Sequence, residues 1–268
     1  GESTLGRKLV AGAGWKMNHT AAEARRYIQT LLPLLAGVDD ARVEVFVLPP
    51  FTSLAAVEPL LNGTPVGLGA QNMHWEPSGA WTGEVAPPML LEAGCRYVEL
   101  GHSERRYHFN ETDETVNRKV LAALAHGLVP ILCIGETQEE RAAGQTEAVL
   151  AHQVQTALRG VEEGQRPAVI LAYEPRWAIG QQDAASPAYI QAAHCFLRAG
   201  LAAWYGPSVA EQTRIIYGGS VNLDNAGSII ALPDVDGLFI GRAALDPQAF
   251  ARLVRLVEQA ARAREDAA

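Results

Sequence analysis

The sequence predicts an α/β fold, a single closed (β/α)8 barrel, on three observations. Eight short apolar runs alternate with longer segments of helical pattern. The runs are continuously apolar, as in parallel strands covered on both faces. Finally, 268 residues spread over eight repeats gives about 33 per repeat, the size of one β/α unit. No Pro/Gly/Ser-rich linker interrupts the pattern, so residues 1–268 read as one domain, with the polar residues 1–8 reading as a disordered tail. An open doubly wound sheet uses the same units, but its nucleotide fingerprint fails. Gly12 and Gly14 supply GxG after the first run, and Met17 stands where GxGxxG requires its third glycine.

In chain order the strands are expected at 9–15 (LVAGAGW), 43–49 (VEVFVLP), 65–71 (PVGLGAQ), 96–101 (RYVELG), 128–134 (LVPILCI), 167–174 (PAVILAYE), 214–219 (RIIYGG) and 236–241 (DGLFIG). The helices between them carry start and stop signals. Thr20 precedes AAEARRYIQTLLPLL with Glu23 three residues on, a capping box, and Thr112 precedes DETVNRKVLAALAHG, which ends at Gly127.

Composition narrows the function classes. With 48% hydrophobic residues the chain can bury a sizeable core, and its net charge of −8 argues against a nucleic-acid or anionic-membrane partner. No apolar run approaches the roughly 18 residues of a membrane span, and the N-terminus lacks the apolar core of a secretory signal. The three cysteines, Cys95, Cys133 and Cys195, form no CxxC and suit a reducing cytoplasm, with Cys133 reading as a small core residue. The histidines form no HExxH pair, so no metal site is expected.

In such a barrel the chemistry gathers just past the C-terminal ends of the strands. Those positions hold Lys16, His102, Glu174, the turn YGGS (217–220) and Gly241-Arg242. Glu174 is the most informative, a lone acid between an apolar strand and the stiff Pro175, where a general base belongs. Plainer readings stand beside these. Glu174 also suits a solvated edge or an ion pair, His102 a helix cap, and Lys16 a solvated lysine. Glu104 suits either an acid orienting Lys16 or a partner of Arg105 or Arg106.

WKMN (15–18), AQN (70–72), TGE (82–84), ELGHSERR (99–106), CIGET (133–137), AYEPRWAIG (172–180), YGGSVN (217–222) and DGLFIG (236–241) occur in one order across the chain. Through these stretches the sequence resembles the triosephosphate isomerase family, whose fold is the TIM barrel. The resemblance implies an isomerase of short phosphorylated sugars that needs no cofactor and works through an enediolate. Glu174 would be the base, His102 a neutral electrophile and Lys16 a positive charge, with Ser103 and Glu104 supporting them. Gly14 and Lys16 would lie against the substrate, and Gly180, Ser220, Gly241 and Arg242 would hold its phosphate. It also implies a lid over 175–187 and a homodimer in which the Thr82 loop enters the neighbouring subunit's site.

The chain departs from the family pattern at three places. Gly14 stands where an asparagine usually donates to the substrate, Arg242 replaces a second glycine, and GQQD (180–183) replaces a glycine-rich lid tip. Gly14, the MHW run (73–75), Trp81 and GLFIGR together resemble the branch that converts L-erythrulose 1-phosphate into D-erythrulose 4-phosphate in tetritol breakdown. That substrate is the first expectation, with Gly14 making room for its extra hydroxymethyl. The triose phosphate reaction of glycolysis is the alternative, and a non-catalytic binding barrel the minor one.

Overall fold

The computed structural model describes residues 6–178 and 184–268. Its eight strands are Leu9–Gly14 (β1), Val43–Leu48 (β2), Val66–Ala70 (β3), Tyr97–Leu100 (β4), Val129–Ile134 (β5), Ile170–Tyr173 (β6), Ile215–Tyr217 (β7) and Gly237–Ile240 (β8). Each pairs in parallel with the next, and β8 returns to β1, so the sheet closes into the expected (β/α)8 barrel. The eight apolar runs all become strands, several of them trimmed. β6 begins at Ile170 rather than 167 because Pro167, which has no N–H for a ladder, sits in a 3-10 turn over Glu163–Ala168.

The helix starts are built as the sequence indicated. The Thr20 hydroxyl accepts from the Glu23 amide while the Glu23 carboxylate accepts from the Thr20 amide. Thr112 caps the helix Asp113–Ala125, and Gly127 beyond it takes a φ of +78° that a side chain would resist.

Strand alternation sends one set of side chains outward to the helices and the other into the barrel. The inward set includes Val10, Phe46, Tyr97, Ile131, Cys133, Ile170, Ala172, Ile216 and Phe239. Large rings fit because small residues face them. A Cβ on Gly12 would lie 2.3 Å from the Phe46 ring, and one on Gly67 would lie 2.5 Å from the Tyr97 ring. Adding a methyl at either would cost about 1–3 kcal/mol through overpacking. Lower in the barrel, the Tyr97 hydroxyl donates to Glu44 (2.5 Å), which Arg214 pairs at 3.0 Å. The interior is therefore filled up to the C-terminal ends of the strands, and the chemistry is confined to that rim.

Candidate active site

At the rim a cavity of about 360 Å3 is lined by Gly14, Lys16, Glu99, His102, Glu174, Gly218 to Asn222 and Phe239 to Ala243. The lining comes from the ends of five strands, β1, β4, β6, β7 and β8. Lys16 follows β1 at a φ of +55°, a left-handed conformation in which a non-glycine residue is strained. His102 caps the helix Ser103–His108 after β4. Glu174 directly follows β6, and its amide donates to the Ile134 carbonyl, which continues the ladder one step past the strand.

Glu174 is 2% exposed, and its Oε2 lies 3.0 Å from Nε2 of His102. The approach is not aligned as a hydrogen bond, so this buried oxygen has no donor among the described residues. Its other oxygen accepts from the Cys133 thiol at 3.4 Å. Cys133 is thus buried as expected, but it also touches the candidate base, a contact the sequence did not indicate.

The protonation of His102 is contested by its neighbours. Burial pulls the imidazole down, while the charge and close approach of Glu174, then Glu99 and Glu104, push it up to about 9. The backbone points the other way. The Glu104 amide donates to Nδ1 at 3.0 Å, so Nδ1 presents a lone pair and carries no proton. We assign a neutral ring with its proton on Nε2, facing Glu174, because an imidazolium would set Nδ1–H against that amide.

Lys16 Nζ meets Glu104 Oε2 at 3.1 Å, while Arg105 and Arg106 pair with Glu111 and Asp113. In the structure Glu104 thus pairs with Lys16 rather than with Arg105 or Arg106. Both partners are well exposed, so the pair positions the ammonium and adds little stability. Ser103 lies away from the main cavity, in a neighbouring crevice with Arg106 and Arg176 on the other side of Glu174.

Gly219, Ser220, Gly241 and Arg242 also line the cavity, and their backbone is suited to an anion. The Arg242 side chain is exposed and pairs with no carboxylate among the described residues. The whole GQQD tip (180–183), Gly180 included, lies outside the described residues.

The wall at Gly14 is less open than a glycine suggests. A Cβ there would lie 3.3 Å from the Phe239 ring and 3.9 Å from Oε2 of Glu99. Part of the room that Gly14 was expected to leave for a larger substrate is therefore taken by the protein itself.

Three residues in or beside the site escaped the sequence reading. Glu99 and Phe239 are inward-facing within strand runs, and only the register reveals that they reach the cavity. Glu136, fully buried, accepts from the Tyr173 hydroxyl (2.8 Å), from Trp177 Nε1 (3.3 Å) and from the Tyr189 hydroxyl. It thereby ties down both flanks of the 179–183 segment. The available signal was an acid directly after a strand, inside CIGET.

Among the described residues one group has donor atoms close enough to suggest a metal, namely Glu99, Cys133 and Glu174, with one atom from each within 4.8 Å of the others. Burial, then the charges of Glu174 and Glu99, raise the Cys133 thiol well above its ordinary range. It stays protonated, and a thiol is a poor ligand where a thiolate is needed.

The family model described as triosephosphate isomerase matches residues 8–257. The chain belongs to the triosephosphate isomerase family. It is 51% identical over 246 residues to a triosephosphate isomerase of Chloroflexus aurantiacus, covering 92% of this chain and 97% of the relative. It is also 50% identical over 254 residues to one of Symbiobacterium thermophilum, covering 95% and 98%. A third, from Herpetosiphon aurantiacus, is 49% identical over 249 residues, covering 93% and 98%. The protein is therefore an isomerase, an intramolecular oxidoreductase of this family. A neutral histidine electrophile beside a glutamate base is the arrangement known for triosephosphate isomerase, and it agrees with the protonation assigned to His102.

Proposed function

We propose that the protein interconverts glyceraldehyde 3-phosphate and dihydroxyacetone phosphate through a cis-enediolate, with no cofactor. One observation carries the reading. Inside a cavity partly lined by glycines, the buried Glu174 oxygen without a donor lies 3.0 Å from His102 Nε2. Starting from glyceraldehyde 3-phosphate, Glu174 takes the proton from C2, His102 passes protons between O1 and O2, and Glu174 returns its proton to C1. Lys16 steadies the negative charge that develops on the oxygens. The backbone at Gly219, Ser220, Gly241 and Arg242 holds the phosphate.

The tetrulose phosphate reaction is the second reading, and Gly14 is the observation that favours it. Three points favour the triose: the ring of Phe239 beside Gly14, the acid Glu99 in the same wall, and relatives named triosephosphate isomerase at about half identity. One added carbon is worth only about 1–3 kcal/mol, so some activity on both substrates is expected. The test is kcat/KM for glyceraldehyde 3-phosphate and L-erythrulose 1-phosphate measured side by side. A triose preference supports the reading, and a tetrulose preference overturns it.

We also infer a homodimer working in the cytoplasm. Met17, Trp81 and Phe109 in loops at the rim and Tyr107 in the helix Ser103–His108 are exposed, an apolar set suited to a second copy. Sedimentation should give twice the 28.7 kDa of one chain, and a monomer at micromolar concentration would contradict the inference. No helix among the described residues is long and apolar enough to cross a membrane.

A further inference from the structure

Glu99 projects into the barrel from β4, two residues above Tyr97 and just beneath the cavity floor. It is 8% exposed and sits in a register position that the other strands fill mostly with apolar or small residues. The hydrogen bonds of the site run elsewhere. Lys16 donates to Glu104, the Cys133 thiol to Glu174 and the Glu104 amide to His102, and none among the described residues reaches the Glu99 carboxyl group. A largely buried carboxyl with no hydrogen-bond partner among the described residues, opening onto the substrate cavity, is free to pair with a substrate oxygen there.

The surroundings decide its charge. The ionisable groups facing it are Lys16 after β1, His102 and Glu104 after β4, Cys133 on β5 and Glu174 directly after β6. Phe239 and the bare backbone of Gly14 close the other side. Oxygens of Glu99 and Glu174 lie within 4.8 Å, and two carboxylates that close in a dry site do not both ionise readily. Glu174 accepts from the Cys133 thiol at 3.4 Å. Glu99 has no donor, so the shared proton belongs on Glu99. Burial first, against the pull of His102, and then the charge of Glu174 push its carboxyl up to about 7. A bound phosphate and a developing enediolate add negative charge nearby and favour the neutral form further.

We propose that Glu99 is a further catalytic residue: as a neutral carboxylic acid it donates its O–H to the substrate oxygen lying against Gly14. The proton stays on Glu99, and no bond to it breaks. The strand residue opposite, Gly14, has no side chain to make this donation, and the Glu99 carboxyl occupies the adjoining space. The inference rests on the proposed sugar-phosphate isomerase reaction and names an additional group in that site.

The experiment uses the full chain with Glu99→Gln and Glu99→Leu, each checked for native circular dichroism. It reads kcat/KM for glyceraldehyde 3-phosphate from about pH 5.5 to 9 and the Kd of a phosphorylated hydroxamate that mimics the enediolate. The neutral acid is the active form, so wild-type activity is full at low pH and falls as pH rises through the Glu99 titration. Glu99→Gln keeps a donor that does not ionise. It should stay within about tenfold of wild type at pH 6 and lose that alkaline fall. Glu99→Leu should lose about 10²-fold or more in kcat, with weaker hydroxamate binding. A folded Glu99→Leu within about threefold of wild type on both readouts overturns the proposal, as does an alkaline fall that persists unchanged in Glu99→Gln. If wild type turns over neither sugar phosphate yet binds the hydroxamate in a Glu99-dependent way, the reaction proposed above fails while the donor role stands. Wild type that neither reacts nor binds overturns both.

Discussion

At Glu174, replacing the acid by its amide removes the base and keeps the shape. Glu174→Gln should lower kcat by about 10²- to 10⁴-fold with a much smaller change in KM. Steady-state kinetics check this, and a matching rise in KM alone would assign Glu174 to binding. Gly14→Asn tests the wall beside it. The new Cβ meets the Phe239 ring at 3.3 Å, so the ring must give by a few tenths of an ångström. A loss of about 1–2 kcal/mol in urea unfolding is expected, and a stability gain would mean the wall is open after all. Glu174, His102 and Lys16 were legible in the sequence because each follows a strand, where barrel chemistry gathers. Glu99 was not, because its meaning depends on which way one residue of an apolar run faces. Nor could Gly14 reveal that a ring from β8, far along the chain, stands beside it.

Elements depend on buried charge as much as on apolar packing. Asp236, fully buried at the start of β8, pairs with Arg7 (2.9 Å) and Arg198 and accepts from the Ile215 amide (2.8 Å). It thus joins the N-terminal segment, a helix and two strands. Asp236→Ala leaves two arginines and a strand amide unsatisfied and should cost about 3–5 kcal/mol. Chemical denaturation checks it, and a loss under about 1 kcal/mol would show that water replaces the acid without penalty. Strand and helix existence was readable from periodicity and caps, and the ends less so. The 3-10 turn that swallows Pro167 and shortens β6 comes from local geometry that a run of apolar letters does not encode.

On the scale of the whole molecule, two buried groups tie stability to pH in opposite directions. Burial holds His194 down to about 4. Its contribution is complete above pH 6.5 and is lost as pH falls through that range towards 4. Glu99 is raised, so its contribution is complete below about pH 4.5 and is lost as pH rises towards 7. Glu99→Leu should therefore gain Tm over wild type as pH rises from about 5 to 8, while His194→Phe should gain most near pH 4. Thermal melts across that range read both, and parallel curves for wild type and variants would contradict the assignment. A site that keeps an acid at a cost in stability is consistent with that acid serving the reaction. The closed barrel was legible from eight repeated runs, but this opposition of charges was not, since it arises only when strand ends distant in sequence converge.

The most direct test of enediolate chemistry at this rim is isomerisation of glyceraldehyde 3-phosphate in D2O, followed by NMR, for wild type and Glu174→Gln. Wild type should place one deuterium on C1 of the dihydroxyacetone phosphate formed, and Glu174→Gln should scarcely exchange or convert it. Conversion that leaves C1 free of deuterium, or that survives unchanged in Glu174→Gln, would contradict the role given to Glu174.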